Sequence, residues 1–302
     1  MSKSKPNFFI VGAPKCGTTS LSAYLREHPN VFMCTPKEPH YFATDLPNYR
    51  VVDKEDKYLE LYNAVTDDHY AVGEASATYL YSKNAISNIK QFNVDAKIIV
   101  MLRNPVELVY SMHSSLIFSR DEDELEFARA WELIGQRKKG IGIPEQCRDQ
   151  KILYYDEIAK LGNQYERVTS MFPPEQTFVI FSEDFFQNTG TVYKKVLKFL
   201  NVPDDNRSEF PKINKNRQHK LGWLANFTQR PPKSIANMAN KLKTMMGLRR
   251  LGVLRTLRKM NATELTRQPL PRSVKEKIIK NYYSDVIKLS NLTGRDLNHW
   301  LT

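Results

Sequence analysis

The stretch NFFIVGAPKCGTTSLSAYL (residues 7–25) constrains the fold more than any other part of the sequence. An apolar run breaks at a glycine-containing turn, and an amphipathic pattern that begins with hydroxyl residues follows it. Such a strand–turn–helix unit directs backbone N–H groups and the positive end of a helix dipole at one point. Thr18, Thr19 and Ser20 add hydroxyl donors, and Lys15 can reach a bridging oxygen where negative charge grows as a leaving group departs. The unit predicts an anion site; the plainer interpretation is a tight βα turn with a buried lysine stem.

The turn differs from the P-loop of nucleoside triphosphatases, G-x-x-x-x-G-K-[ST], in which the lysine follows the second glycine. Gly12 and Gly17 have the right separation, but Thr18 holds the lysine position and Lys15 lies inside the turn. A triphosphate enzyme of this architecture also carries an aspartate at the end of a neighbouring strand, where it holds magnesium. Here the run KIIVML ends at Arg103. An arginine at that position favours a second anion that is contacted directly, without a metal.

Three apolar runs, FFIV (8–11), KIIVML (97–102) and TFVIFSEDF (177–185), each lead into a helical pattern. Continuous apolar strands that alternate with helices are typical of a parallel sheet covered on both faces. The sequence therefore predicts an α/β fold, with a central parallel sheet flanked by helices, in one domain over 1–302. A helix is expected over 121–140, where acidic residues come early and basic residues come late, as suits the helix dipole.

Charge and cysteine usage restrict the partners and the compartment. The net charge of +12 at pH 7 favours anionic partners, without choosing among nucleotides, nucleic acid, acidic lipids and acidic sugars. Cys16, Cys34 and Cys147 are widely separated and form no recognisable disulfide framework or metal pair, which suits a reducing cytosol. No run approaches the roughly 18 apolar residues of a membrane span, and the first apolar stretch is too short for a signal peptide. We expect a cytoplasmic protein without stable membrane insertion.

Taken together, these motifs resemble those of the PAPS-dependent sulfotransferases, in particular the heparan-type and bacterial branch (PAPS is 3′-phosphoadenosine 5′-phosphosulfate). GAPKCGTTSL is similar to the family's 5′-phosphosulfate loop, LRNPVELVYSMHSS to its 3′-phosphate element, and KINKNRQHK (212–220) to the late basic loop that closes over the cofactor. The resemblance implies a P-loop-like sulfotransferase fold, PAPS as the donor, PAP as the product and no metal. It implicates as nucleotide contacts Lys15, Cys16, Gly17, Thr18, Thr19, Ser20, Arg103, Ser111, Lys215, Asn216 and Arg217.

The spacing of the second element also suits one phosphate site without reference to the family. Pro105 is a favoured first residue of a helix, so Ser111 is expected about two turns into that helix. The side chains of Arg103 and Ser111 can then face the same phosphate.

The segment TPKEPHYF (35–42) resembles the acidic motif that supplies the catalytic base in the heparan-type branch, and the match falls on Glu38. A residue before proline is pushed towards extended geometry, and extended residues two apart share a face, so Glu38 and His40 are expected to point into one cleft. Nearby cations lower the pKa of Glu38, whereas His40 has the better intrinsic pKa for a base. We expect Glu38 to be the base and His40 to be the alternative; the plainer interpretation packs His40 with Tyr41 and Phe42.

One departure from the family pattern bears on the acceptor. The heparan-type sequence Glu-Lys-Thr is matched here by GEASATYL, in which Glu74 and Ser76 remain but Ala75 replaces the lysine. That replacement argues against a heparan-like acidic sugar and favours a small molecule or natural product, with a carbohydrate as the alternative acceptor.

Residues 231–260 form a basic, acid-free elaboration with interleaved Met and Leu, which suits a solvated face, a membrane or nucleic-acid surface, or a lid over the cleft.

We therefore expect an enzyme that moves a sulfuryl group from PAPS to a hydroxyl or amine of a small-molecule acceptor, with Glu38, Lys15 and His40 as catalytic residues. One alternative is a P-loop kinase of a small metabolite, which requires ATP and magnesium. Another is a non-catalytic protein that binds nucleic acid or membrane through its basic surface, with binding that collapses in salt. Neither alternative accounts for the positions of Arg103 and Ser111, so no nucleic-acid partner is expected.

Overall fold

A computed structural model describes residues 5–211, 213, 217–219, 262–264 and 268–302, of which 217–219 and 262–264 are described by their backbone alone. Among these residues, five strands form the central sheet: β1 (Phe8–Gly12), β2 (Val31–Met33), β3 (Ala71–Ala75), β4 (Lys97–Leu102) and β5 (Thr177–Phe181). Their order is β2-β3-β1-β4-β5, and every neighbouring pair is parallel. The predicted α/β fold with a central parallel sheet is confirmed.

Helices connect the strands and flank the sheet. They are α1 (Thr18–Arg26), α2 (Glu55–Glu60), α3 (Ala85–Phe92), α4 (Pro105–Ser119), α5 (Phe127–Glu132), α6 (Ile134–Arg137), α7 (Tyr155–Ile158), α8 (Leu161–Thr169), α9 (Ser182–Gln187), α10 (Thr189–Leu200) and α11 (Arg272–Thr293). The long α11 packs against α8 and α4. A separate antiparallel pair is formed by β6 (Arg217–His219) and β7 (Ala262–Glu264), and β6 lies beside α4.

The centre of the sheet places the ends of two strands side by side. Every residue of β1 is buried, as is every residue of β4 except Lys97. Because successive residues of a strand face opposite sides, this burial means that both faces of the sheet are covered. β1 pairs in parallel with β4, so the turn after Gly12 and the residue Arg103 leave the same edge of the sheet.

The predicted helix over 121–140 is wrong in its first part. Helical structure begins only at α5, and Asp121 and Glu122 precede it as buried carboxylates. The two carboxylate oxygens of Glu122 accept hydrogen bonds of 2.6 and 2.7 Å from the guanidinium of Arg137. Asp121 accepts a 2.5 Å hydrogen bond from Nη2 of Arg148. Tertiary ion pairs, and not a helix dipole, therefore determine where these acidic residues lie.

Replacing Arg137 by methionine is expected to destabilise the protein by about 3–5 kcal/mol, because buried Glu122 would lose its paired cation. The two side chains are 1% and 0% exposed. Burial raises the pKa of Glu122, but the hydrogen bonds and charge of Arg137, together with hydrogen bonds from the backbone of Glu124 and from Tyr155, outweigh it and hold the pKa below its usual range. The stabilisation is therefore complete at neutral pH and is lost as the pH falls through the lowered pKa. Urea denaturation of both proteins at pH 7 and in acid measures the difference.

The matched control is the exposed ion pair between Lys57 and Glu60, whose side chains are 58% and 45% exposed. Lys57→Met is expected to leave the free energy of unfolding nearly unchanged, because solvent screens an exposed ion pair. Equal losses of stability in Lys57→Met and Arg137→Met would contradict the assignment of the buried pair.

Candidate active site

The turn between β1 and α1 contains three residues with left-handed backbone. Gly12, Lys15 and Gly17 have φ angles of 131°, 65° and 101°. A Cβ atom on Gly12 would lie 2.3 Å from the carbonyl oxygen of Ala77, so a larger residue does not fit there. Gly17 is the N-cap of α1, which begins at the buried residue Thr18, and the first N–H groups of a helix have no intrahelical acceptor. The turn is therefore as tight as the strand–turn–helix pattern predicts, and the anion site at this turn stays a prediction.

The side chains of this loop divide between the core and the site. Cys16 is fully buried, and burial raises the pKa of its thiol to about 12, so it stays protonated. The hydroxyl of Ser20 donates a 3.2 Å hydrogen bond to the carbonyl oxygen of Ile213, which holds the chain that enters the late basic loop against α1. Lys15 and Thr19 are partly exposed. Cys16 can thus contribute only its backbone to an anion, whereas Lys15 and Thr19 keep their side chains at the surface of the loop.

Arg103 joins the two predicted phosphate elements. Its Nη1 donates a 3.0 Å hydrogen bond to the carbonyl oxygen of Lys15. Its Nε and Nη2 donate to Oε2 of Glu107 at 2.9 and 2.7 Å. The helix α4 opens at Pro105, as predicted, and Ser111 lies about two turns into it with 2% of its surface exposed. The loop after β1 and the element after β4 are therefore in direct contact.

Ser182 is a residue of this region that the sequence does not reveal. Its hydroxyl lies 3.0 Å from the carbonyl oxygen of Cys16 and 2.8 Å from that of Leu102. This buried hydroxyl, at the start of α9, therefore connects the loop after β1 with the last residue of β4. A single serine carries no pattern by which the sequence could identify such a contact.

Glu38 and His40 lie together, but the predicted reason is wrong. Both residues have left-handed backbone, with φ angles of 63° and 52°, and neither is extended. The N–H of Glu38 donates to the carbonyl oxygen of Ala75 at 3.1 Å, which attaches the motif to the end of β3. Oε2 of Glu38 lies 3.8 Å from Nε2 of His40, and Oε1 accepts a 2.5 Å hydrogen bond from Nζ of Lys37. The left-handed turn, and not an extended backbone, therefore places the side chains of Glu38 and His40 next to each other.

The charges around Glu38 keep it ionised at neutral pH. Its side chain is 40% exposed. Burial raises the pKa of Glu38, but the nearby charges of Lys37, His40 and, more weakly, Lys15 outweigh it and hold the pKa below its usual range. Burial lowers the pKa of His40 to about 4, against a smaller opposing effect of Glu38. At pH 7 the site therefore combines an ionised carboxylate with a neutral imidazole, and the charge of Lys15 reaches that carboxylate.

The segment that follows β3 fixes the motif in place. Ser76 Oγ accepts a 3.2 Å hydrogen bond from the N–H of His40, and Thr78 Oγ1 lies 2.8 Å from Nδ1 of the same residue. The hydroxyl of Tyr79 accepts a 3.2 Å hydrogen bond from the N–H of Phe42. The backbone and the ring of His40 are therefore both held by residues 76–79.

Glu74, one residue before the position where the heparan-type pattern has lysine, is fully buried. Burial raises the pKa of Glu74 to about 8, against smaller opposing effects of the neighbouring hydroxyl groups of Tyr79 and Tyr58. A carboxyl group with that pKa is mostly protonated at pH 7. Of Glu38 and Glu74, therefore, only Glu38 is ionised at pH 7. Ala75 adds no positive charge beside them.

Part of the predicted nucleotide site is not described. Arg217 is described by its backbone, as the first residue of β6, and this strand lies beside α4, which carries Ser111. The hydroxyl of Tyr110, also on α4, donates a 2.8 Å hydrogen bond to the carbonyl oxygen of Gln268. Outside the described residues lie Lys215, Asn216 and the basic stretch 231–260.

Fold and site together define a class of protein: an α/β protein with a P-loop-like turn, an arginine after the neighbouring strand and a carboxylate at the same edge of the sheet. Within the described ranges, no three His, Cys, Asp or Glu residues are grouped to hold a metal ion, and no helix has the length and apolarity needed to cross a membrane. A family model described as a sulfotransferase domain matches residues 5–230. The chain belongs to the sulfotransferase family, as the sequence motifs predict.

Individual relatives agree with this assignment. Mouse carbohydrate sulfotransferase 15 is 31% identical over 248 residues, covering 65% of this chain and 44% of the relative. Mouse bifunctional heparan sulfate N-deacetylase/N-sulfotransferase 3 is 26% identical over 288 residues, covering 91% of this chain and 32% of the relative. The crystal structure of a sulfotransferase from Alicyclobacillus acidocaldarius superposes with a TM-score of 0.71 at 25% identity, covering 99% of this chain and 100% of that one. The chain spans less than half the length of the two mouse relatives.

Proposed function

We propose that the chain transfers a sulfuryl group from PAPS to a hydroxyl or amine of an acceptor. Membership of the sulfotransferase family supports this proposal. The observation that supports it most is the contact between the two predicted phosphate elements, in which the backbone carbonyl oxygen of Lys15 accepts a hydrogen bond from Arg103. The charge of Lys15 also lowers the pKa of Glu38, more weakly than that of Lys37 does. In this proposal Lys15 is the cation between the donor and the base.

The residues present fit the two phosphorylated ends of PAPS. The amides at the start of α1 and the side chains of Lys15 and Thr19 would hold the 5′-phosphosulfate. Arg103 and Ser111 would hold the 3′-phosphate. Arg103 is paired with Glu107, whose side chain is 61% exposed, and a phosphate is a stronger partner for a guanidinium than an exposed carboxylate. Lys215, Asn216 and Arg217 would add contacts from the late basic loop.

The chemistry follows from the roles of these groups. Glu38 takes the proton of the acceptor as the acceptor oxygen or nitrogen forms its bond to sulfur. The bond between sulfur and the 5′-phosphate oxygen breaks, and PAP leaves with that electron pair. Lys15 and the loop N–H groups stabilise the negative charge that grows on the leaving phosphate. His40, which is neutral at pH 7, positions Glu38 and does not take the proton. The two phosphate sites align the donor for in-line attack.

Two acceptor classes are favoured by different observations. Ala75 and the neutral carboxyl of Glu74 leave this edge of the cleft without the lysine of the heparan-type pattern, which favours a small molecule or natural product. The names of the two mouse relatives favour a glycan. We propose the small acceptor. A screen with labelled PAPS against phenols, amines and saccharides distinguishes the two acceptor classes. Label in phenols or amines is the expected result, and label in saccharides alone would assign the glycan instead.

We also propose a cytoplasmic location. The thiols of Cys16, Cys34 and Cys147 are free, which is typical of proteins in a reducing compartment. Fractionation of cells that express the full-length protein tests this location.

Calorimetry with PAP, AMP and ATP, each with and without magnesium, tests the donor. PAP is expected to bind roughly 10–100-fold more tightly than AMP, because the 3′-phosphate adds charge-assisted hydrogen bonds from Arg103. This preference should not require magnesium. A small-metabolite kinase would instead prefer ATP with magnesium, and a nucleic-acid-binding protein would show no preference among the three nucleotides.

Arg103→Ala provides a sharper form of the same experiment, with the ratio of PAP to AMP affinity as the readout. That ratio is expected to fall towards one in Arg103→Ala and to stay unchanged in Arg129→Ala. Arg129 is a suitable control because it also pairs with a glutamate, Glu124 at 3.0 Å, and its side chain is 70% exposed. Equal affinities of the wild-type protein for PAP and AMP would contradict the proposed donor.

A further inference from the structure

Thr78 forms the shortest polar contact of the His40 ring. Thr78 Oγ1 lies 2.8 Å from His40 Nδ1, and the two residues are 9% and 6% exposed. The other ring nitrogen, Nε2, lies 3.8 Å from Oε2 of Glu38. The imidazole of His40 therefore lies between the hydroxyl group of Thr78 and the carboxylate of Glu38, which the proposed function assigns as the base.

A neutral imidazole has a single N–H, and its neighbours decide which nitrogen carries it. A proton on Nε2 lies between that nitrogen and the carboxylate of Glu38, which is electrostatically favourable. A proton on Nδ1 would leave the lone pair of Nε2 facing the negative charge of Glu38. In the favourable arrangement Nδ1 is an acceptor, and the hydroxyl of Thr78 is the donor that can occupy it.

We propose that Thr78 is a positioning residue for the reaction: by donating its hydroxyl to Nδ1 of His40, it fixes the tautomer whose Nε2–H faces Glu38 and holds that carboxylate in place for the acceptor. The role of Glu38 as base in this inference rests on the proposed function. The tautomer itself does not, since it follows from the three side chains alone.

Removing the hydroxyl should leave the rest of the motif intact. Ser76 accepts the N–H of His40, and Tyr79 accepts the N–H of Phe42, so the backbone of the motif is held independently of Thr78. Thr78→Val keeps the β-branched shape and deletes only the donor. Thr78→Ser keeps the donor and deletes the methyl group.

Long-range ¹H–¹⁵N correlation spectra of the imidazole nitrogens test the tautomer directly in the full-length protein, with no substrate present. The His40 signals are identified as those that are lost in His40→Gln. The wild-type protein is expected to show the Nε2–H tautomer. Thr78→Val is expected to show a mixture of tautomers, and Thr78→Ser to keep the Nε2–H form.

The kinetic readout separates positioning from binding. Thr78→Val is expected to lower kcat by about 3–10-fold, the effect of one neutral hydrogen bond, with the KM for PAPS unchanged and with activity restored in Thr78→Ser. The control is Thr66→Val, because Thr66 Oγ1 lies 3.0 Å from His69 Nδ1 in the same kind of pair on the exposed surface. Thr66→Val should change neither kcat nor the His40 spectrum.

Three outcomes would overturn the proposal. One is an Nδ1–H tautomer of His40 in the wild-type protein, which can be read even if Thr78→Val does not fold. The second is a Thr78→Val protein with unchanged tautomer and unchanged kcat. The third is a loss of kcat in Thr78→Val without any change of tautomer, which would indicate a packing effect. Failure of the proposed function is a distinct result, because an inactive wild-type protein would still report its tautomer.

Discussion

Replacing Glu38 by glutamine is expected to lower kcat for sulfuryl transfer by about 10²–10⁴-fold, the range for loss of a general base, while PAP affinity stays nearly unchanged. Glutamine keeps the shape of the side chain and a hydrogen-bond acceptor for Lys37, but it cannot take the proton of the acceptor. Single-turnover transfer from labelled PAPS to an acceptor found in a panel of phenols, amines and saccharides measures kcat, and calorimetry with PAP measures affinity.

The pH profile tests whether the base is already unprotonated at neutral pH. Because burial lowers the pKa of His40 to about 4, Glu38 and His40 predict the same profile, and the variants distinguish them. The pKa of Glu38 is lowered from its ordinary value, so the carboxylate stays ionised until the pH falls below the ordinary range of a glutamate. Activity should therefore be flat around neutral pH and decline only in acid. Glu60→Gln is the matched control, since Glu60 also accepts a short hydrogen bond from a lysine, Lys57 at 2.7 Å, on the exposed surface. If His40→Gln lost more activity than Glu38→Gln, the imidazole and not the carboxylate would be the base.

The parts of the fold that the sequence predicts are those whose signal is local. β1, β4 and β5 are continuous apolar runs, and each was predicted within a few residues. β3 has the sequence AVGEA, in which Gly73 and Glu74 interrupt the apolar run that would indicate a buried strand. The reason for Gly73 is distant in sequence: a Cβ atom there would lie 2.5 Å from the carbonyl oxygen of Phe8 on β1. No local pattern contains that contact, so β3 could not be predicted, and the three-residue β2 is too short to form a pattern.

The candidate site shows the same limit. The loop around Lys15 and the position of Arg103 follow from motifs with fixed spacing, and the structure brings them into contact. The proximity of Glu38 and His40 was predicted, but from an extended backbone that the chain does not have. The left-handed turn depends on contacts with the segment after β3, which local rules do not include. The supporting hydroxyl of Thr78 is invisible for the same reason: a threonine is informative only once its neighbour in space is known.

Replacing Lys15 by alanine is expected to lower kcat by about 10²–10³-fold, because the charge on the leaving phosphate would lose a fixed cation. A second effect accompanies it. The ammonium group of Lys15 lowers the pKa of Glu38, so its removal raises that pKa. The base then stays protonated up to a higher pH, and the acid limb of the pH profile moves upward. Single-turnover rates from pH 4 to pH 9 measure the loss of rate and the shift of the profile together.

Lys37→Ala separates the two effects. Lys37 donates a 2.5 Å hydrogen bond to Glu38 and lowers the pKa of Glu38 more strongly than Lys15 does, so its loss should move the acid limb further. A variant that changes only the pKa of the base recovers its rate once the pH exceeds the new pKa. Lys37→Ala is therefore expected to approach the wild-type kcat at high pH, while Lys15→Ala remains about 10²–10³-fold slower there. If Lys15→Ala also recovered at high pH, Lys15 would act only through Glu38, and the stabilisation of the leaving phosphate would have to come from the loop amides alone.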